Sequence, residues 1–322
     1  MSEFLPPNEV ERSKSKLINL LHSYMAGDSH EHTVFSNPTT RHEADYTFEQ
    51  VFRYIQSEIN SGENKMEFVV LAEHASDAAN PKLVNGQALL EHQEKVHDFM
   101  EKQKNEVAEY PEVISGVETS IISAVGDLDV SDNVLSQIDL VIASKHDLKS
   151  VFPEQNGQPT AEQLTNIYLK LMQNPNVDVI GHPNRYVSYE DLNKMDWQTL
   201  FNTAKETHTA LEINFNAPMP EELIKQAVAA GVPLFLGTDA HNLKDFQRLG
   251  EDIRQKIEKE DNRLDYPLGV KFSFWKKVAR VLRTLEEVNA PAEQIITSSK
   301  ENLADWLSKD KEERTIPWIK NV

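Results

Sequence analysis

The chain has 322 residues, long enough for one α/β barrel or two modest domains, and its 39% hydrophobic and 26% charged content is ordinary for a folded protein. A formal net charge of −19 repels polyanions, so no stable nucleic-acid binding is expected. With no cysteine, the chain has no disulfide, no thiolate nucleophile and no Cys-rich zinc site, so any metal must be held by His, Asp or Glu.

The opening, MSEFLPPNEVERSKS, lacks the basic-then-apolar pattern of a signal peptide, and no apolar run approaches membrane-spanning length. A cytoplasmic location and no membrane partner are the expectations. Residues 9–25 place Leu17, Leu20, Leu21 and Tyr24 at helical spacing and predict a leading helix within an extension over 1–26. The stretch GDSHEHT follows, with His30 and His32 two residues apart. In an extended segment such residues point the same way and can grip one cation together.

From there the chain repeats one pattern: a short apolar strand ends in polar residues, and a helix-like stretch follows. The first strand is short and ends at Asp28. Further strands are predicted at 67–72, 113–117, 140–143, 177–180, 210–213 and 233–236. They are followed in turn by His74, Glu118, His146, His182, Asn214, and finally Asp239 with His241. Their nearly unbroken apolar character suits parallel strands buried on both faces. Helices are predicted at 47–59, 89–107, 161–172, 189–206 and 220–230, then at 272–288 and 300–309 beyond a charged helix and loop over 242–265. Residues 294–297 read as a short strand or a loop. The alternation predicts parallel βα units in one domain over 27–309, with a tail over 310–322.

In a parallel barrel the C-terminal ends of the strands converge on one mouth. His30, His32, His74, Glu118, His146, His182, Asp239 and His241 all fall there, with His42 in the first loop. Of the eleven histidines, only His22, His92, His97 and His208 fall on helix-like stretches, where they read as surface residues. Imidazole and carboxylate without sulfur suit zinc, manganese or iron. Nine such groups exceed the roughly three protein ligands of a single catalytic zinc, which predicts two or three divalent metal ions. Arg185, Lys145, Lys149 and Arg41 are candidate phosphate contacts, and Asn214 and Asn216 candidate pocket residues.

The order His-x-His, acid-His at a strand end, Gly-x-Glu, Ala-Ser-x-His, Gly-His-Pro and Gly-Thr-Asp-Ala-His resembles the PHP (polymerase and histidinol phosphatase) superfamily from about Asp28 to His241. The segment NAPAEQIITSSKENLADWL is similar to the one that closes such domains. The resemblance implies an α/β fold, a distorted seven-stranded TIM-like barrel, here with an added N-terminal helix and C-terminal helices. It also implies phosphoester hydrolysis with up to three divalent metals. On this chain it implies a first metal held by His30, His32, Glu118 and Asp239, and a second held by Glu118, His146 and His182. A third would be held by His74 and His241, with His42 completing it. Glu118, Asp239 and His241 are then the catalytic residues, and Arg185, Lys145 and Asn214 the substrate contacts. The chain departs from the usual pattern in two places: Glu73 stands where Asp is usual before His74, and His42 lies farther along the loop.

The expected function is hydrolysis of a small phosphomonoester by a metal-bridging hydroxide. Two alternatives remain open. One is a phosphodiesterase or 3′-exonuclease on short oligonucleotides or nucleotides, since IASKHD and IGHPNR also resemble PHP modules of family X DNA polymerases. The other is a catalytically silent PHP interaction module, against which the near-complete ligand set argues.

Overall fold

The computed structural model describes residues 19–36, 44–61, 66–76, 85–146, 148–241 and 274–310. Seven strands form one parallel sheet in sequence order: β1 (Gly27–Glu31), β2 (Phe68–His74), β3 (Glu112–Ser120), β4 (Leu140–Ser144), β5 (Val179–Gly181), β6 (Ala210–Asn214) and β7 (Leu234–Gly237). Each follows a helical crossover or turn, which is how parallel strands must be joined. The ends of the sheet meet. Asp239 N donates to His30 O at 2.9 Å and His32 N donates to Ala240 O at 3.1 Å. Asp28 fastens this seam by accepting from the backbone N of Thr238 at 3.0 Å and from its hydroxyl. The result is a nearly closed α/β barrel.

Alternation along the strands sorts the side chains. Phe68, Val70 and Ala72 of β2, Ile114 of β3, Leu140 and Ile142 of β4 and Phe235 of β7 share one buried cluster with Ile296, Leu303, Trp306 and Leu307. The helix Lys300–Asp310 and the turn before it therefore contribute to the same core as the strand interior. Burial of each Val, Leu, Ile or Phe side chain among them contributes about 1.5–3 kcal/mol. Continuing the same alternation toward the C-terminal ends brings His74, Glu118, His146, Glu212 and Asp239 to one mouth. The opposite strand faces pack against the helices Phe48–Ser61, Ala161–Met172, Trp197–Glu206 and Glu221–Ala230.

Local chemistry sets the helix ends. Asn85 caps Gly86–Glu106 by accepting from Ala88 N, so this helix starts before the expected residue 89. Thr160 and Gln163 form a capping box at Ala161–Met172. Gly231 closes Glu221–Ala230 with a φ of 72°. The helix expected over 189–206 is two helices, Tyr189–Leu192 and Trp197–Glu206. Asp196 restarts the chain by accepting from the backbone N and hydroxyl of Thr199. Residues 294–297 fall in short 3₁₀ turns, with one bridge from Ile295 to Leu234. The expected elements over 1–18, 242–265 and 311–322, and the positions of Arg41 and His42, lie outside the described residues. Among the described residues no helix is long and apolar enough to cross a membrane.

Candidate metal centre

β1 extends past Asp28 to Glu31, so His30 lies within the strand rather than in the loop expected after it. Its pairing with β2 and the seam to β7 hold this polar end extended. His30 and His32 are fully buried and converge, with Nε2 atoms 3.1 Å apart. Asp239 Oδ1 lies 3.4 Å from His32 Nε2 and 3.8 Å from His30 Nε2.

Glu118, at the end of β3 and 1% exposed, is the hub. Its Oε2 lies 3.4 Å from His30 Nε2, 3.6 Å from His32 Nε2 and 3.4 Å from His74 Nδ1. Its Oε1 lies 3.2 Å from His146 Nε2 and 2.8 Å from His182 Nε2. His241 lies at the rim, its Nδ1 donating to the Asp239 carbonyl at 2.9 Å. Every ligand candidate among the described residues is thus brought together.

The donors form three overlapping groups: His30, His32 and Asp239; His74, Glu118 and His146; and His32, His74 and His241. In each, ligand atoms lie within 4.8 Å of one another. None reproduces an implied set in full: the first lacks Glu118, and the second has His74 where His182 was expected, His182 falling in none of the three. His74 also groups with Glu118, and His32 with His74 and His241. The donor chemistry fits borderline divalent cations, and the facing Nε2 lone pairs of His30 and His32 leave a place that one cation, or one shared proton, must fill.

The electrostatics agree. Burial opposes charge on Glu118, but His146 and His30 outweigh it and hold the carboxyl well below its usual range. Burial likewise opposes charge on Asp239, and its bond to His32 and the field of His30 outweigh it. Burial pushes His32 down to about 4 and His74 well below its ordinary value. Burial also opposes charge on His30 and His146, but Glu212 and Glu118 raise His30 well above its ordinary value and Glu118 raises His146, so the carboxylates are ionised and a bound cation would replace the protons these two imidazoles carry.

Two candidate ligands sit on left-handed backbone, His182 at φ 27° and Asp239 at φ 56°. Such conformations cost about 1–3 kcal/mol each and cluster at functional sites. Both are held by hydrogen bonds. His182 N donates to Glu212 Oε2 at 2.6 Å, and Asn216 Nδ2 donates to the carbonyls of Thr238 and Asp239.

The centre opens into a cavity of about 470 Å³ whose wall includes Arg185, Lys145, Lys149, Tyr186, Asn156 and Gln158. Arg185 Nη1 bonds Asp239 Oδ2 at 2.5 Å. Lys145 is 1% exposed, and its ammonium donates to the carbonyls of Arg185 and Tyr186 at 3.3 and 2.8 Å. Burial pushes it down to about 8. Asn214 is fully buried, donating to Glu212 and accepting from the backbone of Asn216 and Ala217.

Sequence reasoning missed several residues. Glu212 accepts from His30 Nδ1 at 2.8 Å. The Ser120 hydroxyl meets His146 Nδ1 at 2.9 Å, leaving Nε2 aimed at Glu118. Glu73, the departure before His74, is buried and accepts from Thr33 and Ser36, pinning the turn after the His-x-His pair. A lone Glu inside the apolar run ALEIN was the available signal for Glu212, because carboxylates are almost never fully buried without partners. His92 corrects the helix-surface reading: it is 6% exposed and stacks on Phe35 at 4.0 Å.

Fold and site define an α/β barrel with a buried His–carboxylate centre at the C-terminal ends of its strands. No protein-family profile matches the chain. It is 30% identical over 152 residues to a protein named probable phosphatase from Thermoanaerobacter sp. (strain X514), covering 44% of this chain and 58% of that one. A probable phosphatase from Caldanaerobacter subterraneus subsp. tengcongensis is 25% identical over 209 residues, 62% of this chain and 67% of its own length. The DNA polymerase/3'-5' exonuclease PolX of Bacillus subtilis (strain 168) is 35% identical over 136 residues, 41% of this chain and 22% of its own. The chain thus spans under two thirds of the first of these relatives and about a fifth of the polymerase.

Proposed function

We propose that the chain is a metal-dependent phosphoesterase of the PHP type that hydrolyses a small phosphomonoester. The observation that carries the reading is Glu118, one buried carboxylate within 2.8–3.6 Å of five imidazoles drawn from four strand ends. The relatives named probable phosphatase support it.

His30, His32, Asp239 and Glu118 would hold one divalent ion, and Glu118, His146 and His182 a second. His74 and His241, with His42, would hold a third. Zinc, manganese or iron suits these donors. Ions bound there supply Lewis-acid polarisation of a phosphoryl oxygen and water ionised near neutral pH. The chain's own residues do the rest. Arg185, 27% exposed in its side chain at the mouth, matches two phosphate oxygens with its planar fork. Lys145 fixes the turn that carries Arg185, and Asn214 fixes Glu212 from behind the pocket wall. His241, with Nδ1 committed to the Asp239 carbonyl, has Nε2 left to act at the cavity.

The test is a panel of phosphomonoesters and phosphodiesters assayed with added zinc or manganese, alongside metal counting per chain. Wild type should release phosphate from monoesters. Glu118→Gln and Asp239→Asn should lose about 10²–10³-fold or more, the scale of losing one group that stabilises transition-state charge. Intact activity in either variant after metal reconstitution would sink the reading. The likeness to PolX favours a second reading, a phosphodiesterase or 3′-exonuclease. Bis(p-nitrophenyl) phosphate cleaved faster than the monoester would select it.

A further inference from the structure

β6 is the one strand of the seven that supplies no candidate ligand, yet its central inward residue, Glu212, is 1% exposed and fully engaged. Oε1 accepts from His30 Nδ1 at 2.8 Å and from Asn214 Nδ2 at 3.1 Å, and Oε2 accepts from the backbone N of His182 at 2.6 Å. The place is built for it. A Cβ on Gly237, across in β7, would come within 2.7 Å of Glu212 Oε1. Both carboxylate oxygens of Glu212 are taken by N–H donors of other residues, so it acts on candidate ligands rather than as one.

We propose that Glu212 is the positioning residue of the metal centre, one carboxylate that fixes a ligand at each of two metal positions. The inference rests on the metal-site reading above. By accepting from Nδ1–H it sets the His30 tautomer, so that the Nε2 lone pair faces His32, Glu118 and Asp239. By accepting from the His182 backbone it holds that residue in its left-handed conformation, with Nε2 on Glu118.

Only a carboxylate serves both donors. In Glu212→Gln, nearly equal in size, the amide has one accepting oxygen, and its NH₂ faces a second donor. The conflict is relieved when His30 takes the other tautomer, which points an N–H at the cation position.

The test is chelator-competition titration with zinc ions alone, without substrate, on the full chain. Glu212→Gln should bind zinc about 10–100-fold more weakly than wild type. In a double-mutant cycle, adding Glu212→Gln to His30→Ala should cost less than it does alone, because the part of the effect that passes through His30 is already lost while the part through His182 remains. Nitrogen–proton correlation spectra of zinc-loaded wild type should show His30 protonated at Nδ1, a readout that holds even if the variant does not fold. Wild-type zinc affinity in Glu212→Gln, full additivity in the cycle, or a His30 protonated at Nε2 would each overturn the proposal. Wild type that binds no zinc overturns it together with the metal-site reading. Wild type that binds zinc but cleaves no phosphoester overturns the proposed function alone.

Discussion

Arg185 Nη1 lies 2.5 Å from Asp239 Oδ2, a salt bridge that joins the turn after β5 to the end of β7 across the mouth of the barrel. Asp239 directs its other oxygen, Oδ1, toward His30 and His32. The guanidinium therefore sits one carboxylate away from the cation position, where a phosphate oxygen would approach. Arg185→Ala should lower kcat/KM on a phosphomonoester about 10²-fold, and Arg185→Lys should recover only part, because an ammonium lacks the two-pronged geometry. Metal content per chain should stay at the wild-type value. An unchanged kcat/KM in Arg185→Ala would place phosphate recognition elsewhere.

Bringing two ionised carboxylates and six imidazoles into a buried cluster is costly without a cation, so metal binding should be visible as stability. A ligand that binds only the folded state stabilises it by about 4 kcal/mol at 1,000 times its Kd. At about 2 °C per kcal/mol for a chain of this size, saturating zinc or manganese should raise the thermal midpoint of metal-stripped protein by about 8 °C. A chelator should reverse the shift. Differential scanning fluorimetry over a metal titration checks it, and a flat response would contradict the reading of the site.

The residues show why some of this was legible in the sequence. β2 to β7 were readable because strands buried on both faces are apolar runs, and the convergence of the candidate ligands on one mouth was readable because each follows such a run directly. The break between Leu192 and Trp197 was not, because it depends on Asp196 capping a new helix, a choice made by local bonds within an amphipathic pattern that continues across it. Glu212 was missed for the opposite reason: its partner His30 lies 182 residues away, and no local pattern announces that bond. Lys145 reads as a phosphate contact beside His146; it lines the cavity, with its ammonium donating to two carbonyls that the sequence does not announce.

That bond pattern gives Lys145 a testable task. Tyr186 has a φ of 58° and a side chain that leaves it 57% exposed at the cavity, with Lys145 holding the carbonyls on either side of its backbone N–H. Lys145→Met keeps the stem and removes the donor. The turn should then relax, displacing Arg185 and raising KM several-fold, with metal stoichiometry unchanged and a modest loss of stability of about 1–3 kcal/mol from the two unsatisfied carbonyls. A KM equal to wild type would mean that the turn holds its shape without the lysine.

His92 should make stability fall on the acid side. It is buried against Phe35 and Phe48, and burial pushes it down to about 4, with Lys95 adding to the shift and Glu49 opposing it. The unfolded chain protonates this group near 6.5, while the folded chain resists until about pH 4. Its contribution is therefore complete above pH 6.5, declines as the pH falls from there, and levels off near pH 4, a total of about 3 kcal/mol. His92→Leu removes the titration while keeping an apolar side chain on Phe35. Denaturant unfolding at pH 7 and pH 5 should show wild type losing about 2 kcal/mol more than the variant over that interval. Equal losses in the two proteins would mean that His92 is protonated in the folded state at no cost.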